Sequence, residues 1–301
     1  MTFALLSLVL LVPAADGGDV RLQSPLACAV ADDGTVYLAD RRLPGVWRVT
    51  TADSGPVRTT VFKTGGRTFR TGLNAPRCVA FAPPSRAFPG GAVLVGDSAT
   101  RTIYRLDPTA HAPAAEPLIS GEDVGRIGVP SALVAAADGT VFAADLESQR
   151  VYRIPPGGPA TAIARLPGIR GLCLTADGGL LAVTSETKPV RRLAPAADGS
   201  WTHTVAVSGR PFRSPQGAAL GPDGALYVAD NAAGCVWRLA PTEDGGFAAP
   251  TQLAAGAPLV GPTDVCFDGT ADPPRLLVVD PKARALFAVD LADGVITTLV
   301  D

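Results

Sequence analysis

A single unit recurs six times along this chain, and that repetition limits its folds more than any other feature of the sequence. Each copy runs from an anchor residue, usually Pro, through an apolar run, an Asp-Gly or equivalent turn and a second apolar run. That run ends in Asp and is followed by a short polar stretch and a third run. The clearest copy is SPQGAALGPDGALYVADNAAGCVWRLAP, from Ser214 to Pro241. The other copies begin at Ser24, Ala75, Val129, Gly168 and Gly261. Their anchors, Pro25, Pro76, Pro130, Ile169, Pro215 and Pro262, are separated by 51, 54, 39, 46 and 47 residues. A period of this size marks one supersecondary unit that buries its apolar face only by stacking on its neighbours.

The local chemistry is that of strands. Asp33-Gly34, Asp138-Gly139, Asp177-Gly178 and Asp223-Gly224 separate pairs of apolar runs, and Asp-Gly is favoured in tight hairpin turns that need φ > 0. The first run is apolar at nearly every position, as in a strand covered on both faces. A third run carries an aromatic followed by Arg, as in Trp47-Arg48, Tyr104-Arg105, Tyr152-Arg153 and Trp237-Arg238. A fourth, such as Val295–Val300, completes an antiparallel sheet. No segment sustains a 3.6-residue apolar period, so helices are expected to be scarce. Hydrophobic residues at 47% and charged residues at 18% suffice to bury a core. The expected fold is all-β: a six-bladed β-propeller with four antiparallel strands per blade and the first strand of each unit innermost.

The blade consensus, best seen from Pro215 to Asp230, resembles the NHL repeat. A more distant resemblance is to the SMP-30/gluconolactonase-like six-bladed proteins. That second resemblance implies a hydrolase of a lactone or ester as an alternative activity, with Glu, Asn and Asp metal ligands near the residue after each anchor. Here those residues are Leu26, Arg77, Ser131, Arg170, Gln216 and Thr263, and Asp264 is the only acid close by. Calcium and similar cations need several oxygen ligands, usually including carboxylates, so neither a metal nor another cofactor is expected.

The N-terminus carries an apolar run, Phe3–Val12, followed by small residues. Its length matches the apolar region of a signal peptide and is too short for a membrane span. Residues 1–15 are therefore expected to be a leader and 16–301 the propeller, exported to the periplasm or the exterior and monomeric. Cys28, Cys78, Cys173, Cys235 and Cys266 are odd in number and show no CxxC spacing. They are read as small buried hydrophobes. A net charge of −2 offers nothing to nucleic acid.

The Asp that ends the second run recurs as Asp40, Asp97, Asp145, Asp230 and Asp280, with Ser185 expected in its place in the fourth unit. A residue required in every blade is read as a turn cap. The repeated Arg48, Arg105, Arg153, Arg192 and Arg238 are read as structural, with stems on apolar surface and heads in water. A binding site is sought where blades differ. The residues after the anchors face one mouth of the channel, and the loops above them add Arg67, Arg70, Arg126, Arg210 and Arg213, whereas the opposite face holds Asp53, Asp107, Asp198, Asp244, Asp268, Asp272 and Asp293. No catalytic motif is present. The expected function is non-catalytic binding of a small anionic molecule or a protein partner by Arg77, Ser131, Arg170, Gln216, Thr263, Asp264, Arg126 and Arg213. A protein-interaction scaffold using the blade edges is the third possibility.

Overall fold

Asp-Gly turns with the glycine at positive φ, for example Gly34 at 80° and Gly224 at 76°, join the first two strands of several units. These strands and the next two assemble into six sheets, each of four sequence-consecutive antiparallel strands. The computed structural model describes residues 21–50, 57–66, 72–120 and 127–301. The expected leader, together with Asp53, Arg67, Arg70 and Arg126, lies outside the described residues. In the fifth blade the strands are Pro215–Leu220, Leu226–Asp230, Cys235–Leu239 and Thr251–Ala255. The chain is a six-bladed β-propeller without helices among the described residues.

The inner strands are Pro25–Val30, Pro76–Ala82, Pro130–Ala135, Ile169–Leu174, Pro215–Leu220 and Asp264–Asp268. In the first five blades the most completely buried strand is nevertheless the second, not the first as the apolar pattern suggested. Val36–Asp40, Val141–Asp145 and Leu180–Thr184 are buried at every position. Inner strands keep half-buried positions because part of their surface faces the channel rather than a neighbouring blade.

Apolar faces pack between adjacent blades. At the junction of the last blade with the first, Val36, Leu38 and Val49 meet Leu277, Val279 and Leu286. The sixth sheet takes its outer strand, Ile296–Val300, from its own unit, so among the described residues the ring closes without an exchanged strand. Polar links also cross the seam. The Thr263 hydroxyl donates to the Leu26 carbonyl at 3.0 Å, and Asp264 accepts from the Cys28 N–H at 3.0 Å.

The second-strand carboxylates Asp40, Asp97, Asp145, Asp230 and Asp280 are 0% exposed. Each gathers N–H groups from two loops. Asp230 accepts from the Arg213, Ser214 and Ala233 backbone and from the Trp237 indole, at 2.8, 2.8, 3.2 and 3.1 Å. Asp40 binds Gln23, Ser24, Arg42, Leu43 and Trp47 in the same manner. The cap reading therefore holds, with one correction in the fourth blade. Strand register places Thr184, not Ser185, opposite the anchor Ile169, and its hydroxyl donates to the Lys188 carbonyl.

The third-strand arginines also divide. Arg105, Arg192 and Arg238 pair with Glu116, Asp177 and Asp223 at the surface. Arg48 instead stacks 4.3 Å from the Phe62 ring and donates to the Pro108 and Ala110 carbonyls. Its head is held by protein and not by water. All five cysteines are free thiols; four are buried and Cys266 is partly so.

Removing a buried acceptor leaves its donors unsatisfied, at roughly 1–3 kcal/mol for each group. Asp230→Ala strands four donors and is expected to cost about 3 kcal/mol or more. Asp223→Ala loses a half-exposed pair with Arg238 and one turn N–H, and is expected to cost about 1 kcal/mol. Equilibrium urea unfolding of the two variants separates these outcomes.

Candidate functional site

The anchor residue pairs with the end of the second strand, and in the first five blades the residue after it has no partner. In the first blade Pro25 pairs with Asp40 and Ala27 with Ala39, which leaves Leu26 as a bulge. The same interruption leaves Arg77, Ser131, Arg170 and Gln216 unpaired. Bulges re-aim side chains at the ends of sheets. Here they bring Leu26, Arg77, Ser131, Arg170 and Gln216, with Thr263 of the sixth blade, onto the wall of one cavity of about 400 Å³.

Three guanidinium groups stand on this wall. Arg77 comes from the second blade and Arg170 from the fourth. Arg41, which the sequence reading passed over, stands exposed at the rim where the first blade turns from its second to its third strand. Its signal was its position directly after the capping Asp40, on the same face as the anchors. None of the three forms an ion pair among the described residues, and the capping carboxylates are occupied by backbone N–H groups. Arg170 Nε is buried with no hydrogen-bond partner. Burial draws Arg77 below the ordinary guanidinium value, and the Arg170 and Arg41 charges push the same way.

Asp264 lies deeper. Its Oδ2 accepts the Cys28 N–H, and its Oδ1 lies against Gly217, where a Cβ would overlap it. Asp264 is half-buried on the cavity wall. Loss of bulk solvation raises its pKa to about 7, against the opposing pull of backbone N–H groups at Cys28 and Val265. The thiols of Cys28, Cys78, Cys173 and Cys266 all sense its charge and are themselves raised, chiefly by burial.

The neutral residues are partly engaged already. Gln216 Nε2 donates to Ser214 Oγ at 3.2 Å, Ser131 Oγ to the Ala144 carbonyl at 3.4 Å and Thr263 Oγ1 to Leu26. Each retains acceptor capacity toward the channel. Arg213 is exposed and is not on the cavity wall; its backbone N–H serves the Asp230 cap. Arg126 lies outside the described residues. The structure thus brings six of the eight expected residues onto one cavity and adds Arg41.

Comparison with known proteins follows the same division between fold and site. Residues 212–239 match the NHL repeat family. No curated protein matches the chain. Among solved structures, a gluconolactonase from Xanthomonas campestris is 18% identical with a TM-score of 0.64, covering 92% of this chain and 87% of its own. Virginiamycin B lyase from Staphylococcus aureus is 15% identical with a TM-score of 0.59, covering 94% and 87%. A chain of a nidogen/laminin complex is 17% identical with a TM-score of 0.65, covering 86% and 91%. A lactonase, a lyase and a member of a protein complex share this scaffold, so the likeness carries the fold and not a chemistry. By its repeat, its topology and its neighbours, the chain is a six-bladed β-propeller that carries an NHL repeat.

Proposed function

We propose that the channel mouth binds a small anionic molecule, or an acidic group presented by a protein partner, in a protein exported to the periplasm or the exterior. One observation carries the binding site: Arg77 and Arg170, from separate blades, line the same cavity with Arg41 and have no carboxylate partner among the described residues. Like charges are held together there against their mutual repulsion and, for Arg77, against burial. An oxyanion relieves both costs. The planar fork of guanidinium matches carboxylate, sulfate and phosphate oxygens, and the buried Arg170 Nε offers a donor not otherwise used. The apolar run Phe3–Val12 supports export.

A desolvated charge-assisted bond is worth on the order of 1.5–3 kcal/mol. Isothermal titration with sulfate, phosphate and sugar acids should therefore detect a bound anion whose affinity falls at least tenfold in the Arg77→Ala/Arg170→Ala protein. The melting temperature should not fall, since neither residue belongs to the apolar repeat. Unchanged affinity in the double variant removes the site.

One observation favours a hydrolase as the second reading. Asp264 is a carboxyl in the channel that titrates near neutrality, as a general base acting on a lactone or ester needs. In that case lactone hydrolysis is lost in Asp264→Asn, and the acidic limb of the wild-type kcat/KM profile lies near pH 7.

Asp264 also makes a prediction independent of any ligand. Its carboxyl ionises near 3.9 when unfolded and near 7 when folded. Between these values the folded chain holds a proton that the unfolded chain releases, so stability falls as pH rises through this window and is flat above it. Asn has no such proton. The melting temperature of Asp264→Asn relative to wild type should rise from about pH 5 to about pH 8, as followed by circular dichroism. A difference independent of pH would refute the raised pKa.

A further inference from the structure

The cavity carries charges of both signs, and neither satisfies the other. Arg41, Arg77 and Arg170 stand at the mouth, and Asp264 is the acid farther in. No ion pair joins them among the described residues, and burial and backbone N–H groups account for the shift of Asp264 without a contribution from any arginine. The guanidinium groups and the carboxyl therefore do not neutralise one another. A desolvated carboxylate without a cation is costly, and the backbone N–H groups at Cys28 and Val265 leave part of its acceptor capacity unused.

At the level of Asp264 the wall is otherwise small and apolar. Ala27, Ala132, Gly171 and Gly217 hold the same position in their blades as Asp264 does in the sixth, and present no charged side chain to compete for a ligand. The volume of about 400 Å³ lies toward the lower end for small-molecule sites, so one modest molecule must meet both charges. From this arrangement, and resting on the anion site proposed above, we propose that the ligand is a small zwitterion. Its anionic group sits among Arg41, Arg77 and Arg170, and an ammonium reaches Asp264 in the ring of small residues.

The pH dependence follows from the groups that face Asp264. These are Cys28 on the first inner strand, Cys78 on the second, Cys173 on the fourth and Cys266 on its own strand. All four thiols are raised, Cys78 and Cys173 to about 12, and stay protonated near neutrality. A ligand ammonium, with a pKa of about 10.4 like that of lysine, stays charged. Asp264 is then the group whose proton must leave when the ammonium arrives, so affinity rises with pH through about 7 and levels above it.

The test is isothermal titration of the full chain with aminobutanoate, aminohexanoate and aminooctanoate, each bearing its amine on the terminal carbon, beside the corresponding alkanoates. The best amino acid should bind at least tenfold tighter than its alkanoate at about pH 8, with the advantage shrinking at about pH 6. Near neutrality its binding should release a proton, visible as a heat that varies with the ionisation enthalpy of the buffer. Asp264→Asn should abolish the preference for the amine while alkanoates still bind, and Arg77→Ala/Arg170→Ala should weaken both series. Alkanoates binding as tightly as their amino counterparts would overturn the zwitterion and leave the anion site standing. Failure of every anion, inorganic sulfate included, would remove the anion site and this inference together. Should Asp264→Asn not fold, proton release by the wild-type protein decides the matter, and its absence overturns the proposal.

Discussion

The buried carboxylate at the end of the second strand is the interaction on which the positions of the mouth loops depend. Asp97, Asp145 and Asp280 each accept from the loop entering their own inner strand and from the turn leaving their second strand. A carboxyl group at 0% exposure is tolerable because several N–H donors replace its water. Those donors belong to segments that flank the channel, so the same bonds that stabilise the carboxyl group hold the rim. Arg41, directly after Asp40, and Arg77, just beyond the Asp97-bound Ala75, owe their places to this clamp.

The fourth blade tests that view because it lacks the carboxylate. Thr184 replaces it and Ile169 replaces the anchor Pro. The loop is short there and turns at Gly168, with φ of 66°. Ser185 N–H bonds the Gly168 carbonyl, and the Thr184 hydroxyl donates to the Lys188 carbonyl and accepts the Glu186 N–H. Arg170 follows in this least clamped blade, and its buried Nε has no partner.

The fold was legible because every blade must satisfy the same packing, so the signal is written six times. Register within one blade is written only once. Thr184 and Ser185 are adjacent hydroxyls, and sequence spacing alone does not say which one pairs with Ile169. The site was legible only in part, for the opposite reason. Positions after the anchor announce themselves by differing between blades, but Arg41 belongs to a different part of the repeat. The role of Asp264 depends on Gly217 of the preceding blade, whose missing Cβ makes room for the carboxylate. No pattern within a single unit displays that pairing. The third-strand Arg48 shows the same limit, since its carbonyl partners come from the next blade.

Closure of the ring links these observations. With no exchanged strand among the described residues, the seam relies on apolar packing and on Thr263 and Asp264, which also stand in the channel wall. An ionised Asp264 accepts the Cys28 N–H more strongly than a neutral one, yet ionisation at this depth is what burial opposes. A cation placed beside Asp264 would shift that balance toward the carboxylate and so tighten the bond between the first and last blades. Occupancy of the channel and cohesion of the ring would then share one group, and a ligand that neutralises Asp264 would stabilise the propeller at its only junction not covered by chain continuity.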